Sequence, residues 1–170
     1  MNYRWIGAIL VMIGCGSYGF SMASRCRLEE QMLRHLGRIA EYMKNELQYS
    51  LTPLPELCRA SAGEATGQLR KLFLCLGYAL DRQTLPDVNS CMQVTVDQYP
   101  ELPRSVKRIL LQMGRTLGAY DLSGQVNELK SIQHDCEREL NVMESNRDLR
   151  LRNYRTLGLC TGAALAILFI

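Results

Sequence analysis

The sequence has few of the residues on which most catalytic and metal sites are built. Its 170 residues include only two histidines, His35 and His134. Neither belongs to an HExxH motif or to the Glu-x-x-His motif of di-iron helical bundles, and no lysine follows a phosphate-binding glycine loop. The acidic residues beside His134 are typical of a solvated helix face. These absences predict a chain that is not an enzyme and binds no cofactor and no metal.

Charge of either sign is missing from both ends of the chain. Of the 20 basic and 17 acidic residues, only Arg4 lies outside 25–155. A helix over residues 5–23 spans about 28 Å, close to the hydrocarbon thickness of a bilayer, whereas one over 156–170 reaches about 22 Å. We therefore expect an N-terminal transmembrane helix within 1–24, a helical domain over 25–155 and a short C-terminal transmembrane helix over 156–170. A C-terminal segment that inserts only partly stays open.

The glycines of the first apolar segment also fit a nucleotide-binding pattern. GCGSYG at 14–19 has the spacing GxGxxG, and Glu41 follows roughly 20 residues later. A dinucleotide fold needs a short strand before that turn and alternating strands and helices after it, and neither is indicated. We interpret the small residues as helix-packing positions in lipid, which predicts that the two spans form a hairpin. They recur at every fourth position in both segments: Cys15, Gly19 and Ala23, then Gly158, Gly162 and Ala166.

Arginines flank both apolar segments on the side of the middle domain. By the positive-inside rule they place that domain in the cytoplasm and both termini on the far side of the membrane. The net charge of +3 is too small to indicate nucleic-acid binding. We expect these arginines to form a basic collar against anionic lipid headgroups. The collar consists of Arg25, Arg27, Arg147, Arg150, Arg152 and Arg155.

A competing interpretation makes the N-terminus a signal peptide that ends at Ser21-Met22-Ala23, which leads to a secreted helical protein. The cysteines disfavour it, because seven is an odd number and no CxxC pair is present. Four of them occupy mostly apolar helical positions and indicate reduced, buried side chains: Cys58, Cys75, Cys91 and Cys136. A small membrane redox protein that uses its cysteines is a further alternative.

The middle domain has the periodicity of helices, and we predict about six. The first covers 25–49 and continues the first apolar segment; the last begins near Ser123 and continues into the second. Between them we predict a helix from Pro53 capped by Thr52, helices over about 66–82 and 86–99, and one from Pro103. The fourth contains CMQVTV, whose β-branched residues also suit a strand, but no partner strand is evident. Asp121 and Ser123 are both candidate caps of the last helix.

Apolar residues at steps of three and four define the faces predicted to form the core. These are Leu28, Met32, Leu36, Ile39, Met43 and Leu47 in the first helix, Leu69, Leu72, Phe73, Leu76 and Leu80 in the third, Val106, Ile109, Leu110, Met113 and Leu117 in the fifth, and Val126, Leu129, Ile132, Cys136, Leu140 and Met143 in the last.

Two stretches are more specific than a generic two-span protein requires. They are NELQYSLTPLPE at 45–56 and LGAYDLSGQ at 117–125. With the N-terminal span, Phe73 and YRTLGLCTGAALAILFI at 154–170, they make the whole chain resemble the stage III sporulation protein AB family. One departure lies near the start of the fourth helix, where the family leads us to expect a tryptophan and this chain has Cys91 and Met92.

The resemblance implies an all-α fold like the cytoplasmic domain of type II secretion system protein F. It implies a non-catalytic platform subunit of the channel complex between mother cell and forespore, in the mother-cell membrane that faces the forespore. The implied partners are the complex's ATPase, the stage III sporulation AA protein, and other membrane subunits, beside membrane lipids. A homo-oligomer formed through the glycine stripes stays open.

Two parts of the specific stretches fall at helix junctions away from the collar, if both long helices rise from the membrane. A partner ATPase could reach them there. The candidate partner-binding residues are Glu46, Tyr49, Leu117, Gly118, Asp121 and Gln125. By chemistry alone, LGAYDLSGQ is equally a helix–helix turn with a cap, and the polar side chains are equally internal hydrogen-bonding groups.

Overall fold

The computed structural model describes the backbone of residues 3–50, 52–83, 85–119 and 121–169, and the side chains of 26–50, 52–83, 85–119 and 121–145. Within these ranges the chain is all-α, without a strand. The helices are α1 (Tyr3–Tyr49), α2 (Leu54–Ser61), α3 (Gly67–Asp81), α4 (Val88–Asp97), α5 (Arg104–Thr116) and α6 (Leu122–Phe169). A 3-10 turn over Ala62–Glu64 joins α2 to α3. The predicted helical bundle is confirmed.

The first and last helices are long, unbroken and antiparallel to each other. They contain 47 and 48 residues. Arg34 Nη2 of α1 lies 3.3 Å from Glu144 Oε1 of α6, and a Cβ atom placed on Gly37 would lie 3.8 Å from Cys136 Cβ. This register brings the C-terminal end of α1 level with the start of α6. Residues 14–19 lie inside α1, so GCGSYG is not the turn of a nucleotide-binding fold.

One hydrophobic core lies between the helices, and most of the predicted core positions are buried in it. Phe73, Leu36 and Ile109 are completely buried. Four predicted positions are half-buried at the edge of the core: Leu80, Val126, Leu140 and Met143. Leu28 is a wrong prediction, because its side chain is 48% exposed. The bundle ends at its level, where the neighbouring Glu29 accepts a hydrogen bond from Ser105 in the first turn of α5.

The fourth element is a helix, in spite of its β-branched sequence. Asp87 caps it by accepting a hydrogen bond from the Ser90 backbone N–H at 3.0 Å. Thr95 donates its hydroxyl to the carbonyl of the residue one turn earlier, at 2.7 Å. Cys91 and Met92 are buried, and a Cβ atom on Gly114 of α5 would lie 2.6 Å from Met92 Cβ. A close helix–helix contact thus occupies the place where we expected a tryptophan, and burial overrides β-propensity.

The connection between α2 and α3 is fastened to α1 by a histidine. His35 Nδ1 lies 2.8 Å from the Glu64 carbonyl oxygen, and the Thr66 hydroxyl lies 3.0 Å from Nε2. The two ring nitrogens thus contact the 3-10 turn at Glu64 and the residue that precedes α3. His35 therefore has a structural role.

Candidate partner-binding surface

Three helix connections meet at one end of the bundle, which we call the junction end. They are residues 50–53 between α1 and α2, 82–87 between α3 and α4, and 117–121 between α5 and α6. A Cβ atom on Gly118 would lie 3.2 Å from Val88 Cγ2, at the start of α4, and 3.8 Å from Leu54 Cδ2, at the start of α2. Segments separated by more than 60 residues therefore form one continuous surface.

The connection between α5 and α6 is shaped by a glycine and an aspartate. Gly118 has φ of +80°, a left-handed conformation that side chains with a Cβ atom rarely adopt, while Leu117 before it is buried. Asp121 caps α6, because Oδ1 accepts a hydrogen bond from the Gly124 backbone N–H at 3.1 Å and Oδ2 accepts one from the Ser123 hydroxyl at 2.8 Å. These two hydrogen bonds lower the pKa of Asp121, and the bond from Ser123 has the larger effect. Of the two predicted caps, Asp121 is the cap and Ser123 supports it.

The connection between α1 and α2 is held by Glu46. Its Oε2 accepts a hydrogen bond from the Thr52 hydroxyl at 2.9 Å. The pKa of Tyr42, one turn before Glu46, is raised. Burial is the largest cause, followed by the charge of the Glu46 carboxylate and the hydrogen bond between the two side chains. We predicted that Thr52 caps α2, and this prediction is wrong. Pro53 occupies the cap position without a side-chain hydrogen bond. The threonine reaches back to α1 because Glu46 offers a charged acceptor.

Of the candidate residues, Tyr49 presents the largest free surface. Its side chain is 79% exposed at the last position of α1. Leu117 is buried and Glu46 and Gln125 are half-buried, whereas Gly118 and Asp121 are exposed. Glu46 and Asp121 accept hydrogen bonds within the chain, and a partner-binding role for these residues stays a prediction. Their effect on a partner would come through the shape that they give to the surface.

Two parts of this surface were not predicted from the sequence. Leu122 is 43% exposed at the start of α6, although it lies within the stretch LGAYDLSGQ. An open depression of about 620 Å³ is lined by the last turn of α3, the α3–α4 connection and the start of α4. Gln83 in its wall has φ of +49°, and Val88 links it to Gly118. The sequence DRQTLPD signals a turn there through Pro86 and Asp87, but not its position beside the other two connections.

The opposite end, which we call the collar end, is where α1 enters and α6 leaves the domain. Arg27 of the predicted collar is exposed there. Arg104, at the start of α5, is exposed as well, and the hydrogen bond between Ser105 and Glu29 places it near α1. The other collar side chains lie outside the described side chains: Arg25, Arg147, Arg150, Arg152 and Arg155. So do the predicted spans and their helix-packing residues Cys15, Gly19, Ala23, Gly158, Gly162 and Ala166.

Among the residues with described side chains, no helix combines the length and the apolar character needed to cross a membrane. In the same residues, no group of three or more His, Cys, Asp or Glu side chains is arranged to hold a metal ion. His134 Nδ1 lies 3.4 Å from Glu137 Oε2 on an exposed helix face.

The described cysteines are free thiols with different surroundings. Cys58, Cys91 and Cys136 are buried, Cys75 is half-buried and Cys26 is exposed. Burial raises the pKa of Cys58 to about 12. Burial, followed by the nearby acidic side chains, raises the pKa of Cys136 to about 12. Because the thiolate is the nucleophile, a raised pKa disfavours a nucleophilic role for these two side chains. Reduced, buried cysteines were predicted, and Cys75 fits that prediction only in part.

Known proteins are similar to this chain over nearly its whole length. The family model described as stage III sporulation protein AB matches residues 4–170. The curated stage III sporulation protein AB of Bacillus subtilis (strain 168) is 22% identical over 169 residues, which cover 98% of this chain and 99% of that protein. A solved structure of a stage III sporulation protein AB (SpoIIIAB) superposes with a TM-score of 0.62 at 21% identity, over 69% of this chain and 94% of that one. At this identity, the structural likeness concerns the fold.

Proposed function

Because the chain belongs to the stage III sporulation protein AB family, and thus has a role in sporulation, we propose that it is a membrane-anchored, non-catalytic platform subunit of the channel complex between mother cell and forespore. In this proposal the complex's cytoplasmic ATPase, the stage III sporulation AA protein, docks on the junction end. The observation that carries it is the separation of the two ends. One end has exposed arginines beside the apolar segments, and the other has an exposed aromatic side chain and a depression.

The membrane part of the proposal is supported by the course of the two long helices. Since α1 and α6 are antiparallel neighbours, they leave the domain at the same end, and each continues in sequence into a segment without charge. Arg27 and Arg104 are exposed at that end. Each such side chain near an anionic surface contributes about 1 kcal/mol. The proposed localisation is the mother-cell membrane that faces the forespore, with the middle domain in the cytoplasm.

The docking part rests on the distance and the character of the junction end. From Glu29 to Tyr49 the axis of α1 extends about 30 Å at 1.5 Å per residue. The junction end would therefore point away from the membrane, where a soluble ATPase could approach it. Exposed tyrosines are enriched among residues that contribute most to protein–protein binding. Tyr49 and Leu122 offer exposed apolar contact area, and the depression at the same end adds a concave surface.

The non-catalytic part is supported by the chemistry of the described side chains. The two cysteines with strongly raised pKa values are protonated at neutral pH. His35 uses both ring nitrogens within the fold. A redox protein would need an accessible pair of thiols, and the one fully exposed thiol among the described cysteines, Cys26, lies at the collar end away from the depression.

The experiment is photo-crosslinking in sporulating cells from single positions in the full-length chain. Positions 49 and 122 probe the junction end, and position 28 is the matched control, because Leu28 is similarly exposed but lies at the collar end. We expect capture of the ATPase from 49 and 122 and not from 28. Capture from position 28 alone, or no capture of the ATPase from any position, would contradict the docking proposal.

Fractionation and mass measurement of the same samples test the membrane part. We expect the full-length chain to stay with membranes after carbonate washing. A native protein that lacks residues 1–23 would instead support the secreted alternative and end the platform proposal.

A further inference from the structure

An open groove runs along the outer side of the α1–α6 pair, away from the junction end. Its volume is about 500 Å³. Leu33, Gly37 and the buried Cys136 lie at its floor, and charged or polar side chains from both helices, including Arg38 and Glu137, form its rims. The groove exists because Gly37 has no side chain and Cys136 has a small one. Neither the core nor the proposed docking surface uses it.

We infer that this groove is the contact between two copies of the chain, which pack as an antiparallel four-helix bundle. In this contact α1 of each copy lies against α6 of the other, and Arg38 pairs with the other copy's Glu137. The inference rests on the proposed function in one respect. Two copies anchored in one membrane must point in the same direction, so the two-fold axis that relates them is parallel to their long helices.

The register of α1 and α6 decides which residues face each other across such an axis. A half-turn about it brings α1 of one copy opposite α6 of the other at the same height. Gly37 is level with Cys136 in the single chain and the two helices run in opposite directions, so Arg38 lies about 3 Å in height from the other copy's Glu137, within reach of its long side chain. The arginine then faces a carboxylate, and the symmetry makes this pair twice.

Charge complementarity favours a second copy over an unrelated occupant. Arg38 is exposed, and its Nη2 lies 2.8 Å from His35 Nδ1, a ring nitrogen that already faces the Glu64 carbonyl. Glu137 is exposed, and within its own chain it contacts His134 at 3.4 Å. In the dimer, Arg38 and Glu137 therefore each gain an oppositely charged partner. Anchoring in a membrane raises the effective concentration of the two copies, so a contact of modest area suffices.

The test uses charge reversals that discriminate between a contact within one chain and a contact between two chains. Full-length copies with two different tags are produced together and co-purified in mild detergent. Arg38→Glu alone gives a dimer with two facing carboxylate pairs, and Glu137→Arg alone gives one with two facing cation pairs. We expect either to lower co-purification at least about tenfold. Mixing Arg38→Glu copies with Glu137→Arg copies restores both attractive pairs and is expected to restore co-purification.

A matched control makes the same change of charge outside the groove. Lys71→Glu lies on the exposed face of α3 and is expected to leave co-purification unchanged. Gly37→Leu, which fills the groove, is expected to abolish the dimer. Gly37→Ala, whose Cβ atom stays at an ordinary 3.8 Å from Cys136 Cβ, is expected to preserve it. Helix content by circular dichroism shows that each variant is folded.

The inference is overturned if Arg38→Glu copies still co-purify like the wild type, or if the mixed pair stays apart. The mixed pair distinguishes a lost contact from a folding defect. Each variant is expected not to co-purify with itself, and two misfolded variants would not co-purify with each other either. Membrane fractionation of the same cells reports on the proposed function independently. A chain that is membrane-bound but does not self-associate contradicts the dimer and leaves the platform subunit intact.

Discussion

The two ends of the bundle are built by different means. At the junction end, the connections take defined conformations through the hydrogen bonds that Glu46 and Asp121 accept and through the left-handed Gly118. At the collar end, His35 and the left-handed Gly67 fix the α2–α3 connection, while the arginines Arg27 and Arg104 expose their side chains. A surface meant to recognise a protein needs a fixed shape, whereas a surface beside lipid headgroups needs charge. We therefore expect substitutions of the residues that fix the junction end to cost stability and substitutions of the exposed collar-end arginines to be nearly neutral.

The largest effect on stability is expected from Gly118→Ala. The new Cβ atom would sit in a left-handed conformation, 3.2 Å from Val88 Cγ2, and the expected loss is about 1–3 kcal/mol of unfolding free energy. The measurement is denaturant unfolding of the full-length chain in detergent.

Gly63→Ala is the matched control, because Gly63 lies in the 3-10 turn with no heavy atom within 4 Å of its added Cβ and without a positive φ. If the two substitutions prove equally costly, the argument for a specified conformation at Gly118 fails.

The next effect is expected from Glu46. Glu46→Gln removes the charged acceptor of the Thr52 hydroxyl, and Thr52→Val removes the donor; either is expected to cost about 1 kcal/mol. The double variant should cost less than the sum, because both substitutions break the same bond.

Glu46→Gln should also bring the pKa of Tyr42 down towards its ordinary value, since the Glu46 carboxylate contributes to the present rise after burial. Ultraviolet titration of the tyrosines measures this shift. An unchanged Tyr42 titration would show that burial alone sets it.

A smaller effect, dependent on pH, is expected from Asp121→Ala. The pKa of Asp121 is lowered by the Ser123 hydroxyl and the Gly124 N–H, so its carboxylate stabilises the fold above the ordinary pKa of aspartate, about 4. This contribution is lost as pH falls through the lowered pKa. The variant should therefore melt a few degrees below the wild type at neutral pH and converge with it in acid.

Ser123→Ala, which removes the first of the two donors, should show the same convergence with a smaller difference at neutral pH. A melting difference for Asp121→Ala that persists unchanged at pH 2 would indicate that the carboxylate charge is not what stabilises α6.

The smallest effect on stability is expected at the collar end. Arg27→Gln and Arg104→Gln alter exposed side chains, and each should change the unfolding free energy by no more than about 0.5 kcal/mol. A loss above about 1 kcal/mol for either would mean that the collar end is also conformationally specified, and the contrast between the two ends would disappear.

Helix type and buried faces were predictable because they depend on local periodicity. Ile39, Phe73 and Met113 are buried at the steps of three and four that predicted them. Leu28 broke the pattern because periodicity does not tell where a bundle ends. The fourth helix was ambiguous for a similar reason: Val94, Thr95 and Val96 favour a strand locally, whereas the Asp87 cap and the fit of Met92 against Gly114 in α5 favour a helix.

The candidate surface was predictable only in part. The two specific stretches drew attention to Tyr49 and to the region of Asp121, but not to the role of each side chain. That Glu46 binds Thr52 depends on how the chain turns after α1, and that Gly118 contacts both Val88 and Leu54 depends on three connections meeting. No sequence motif indicated that the α3–α4 connection and its depression belong to this surface.

The sequence by itself determined the charge-free ends, the arginines beside them, the helices and the faces they bury, since each follows from the chemistry of neighbours within a few turns. Only the tertiary structure decided which connections share an end, that Glu46 binds Thr52 while Tyr49 and Leu122 face solvent, and that Gly37 opens a groove against Cys136. These outcomes depend on distances between segments far apart along the chain, which the packing of the core fixes and local sequence does not.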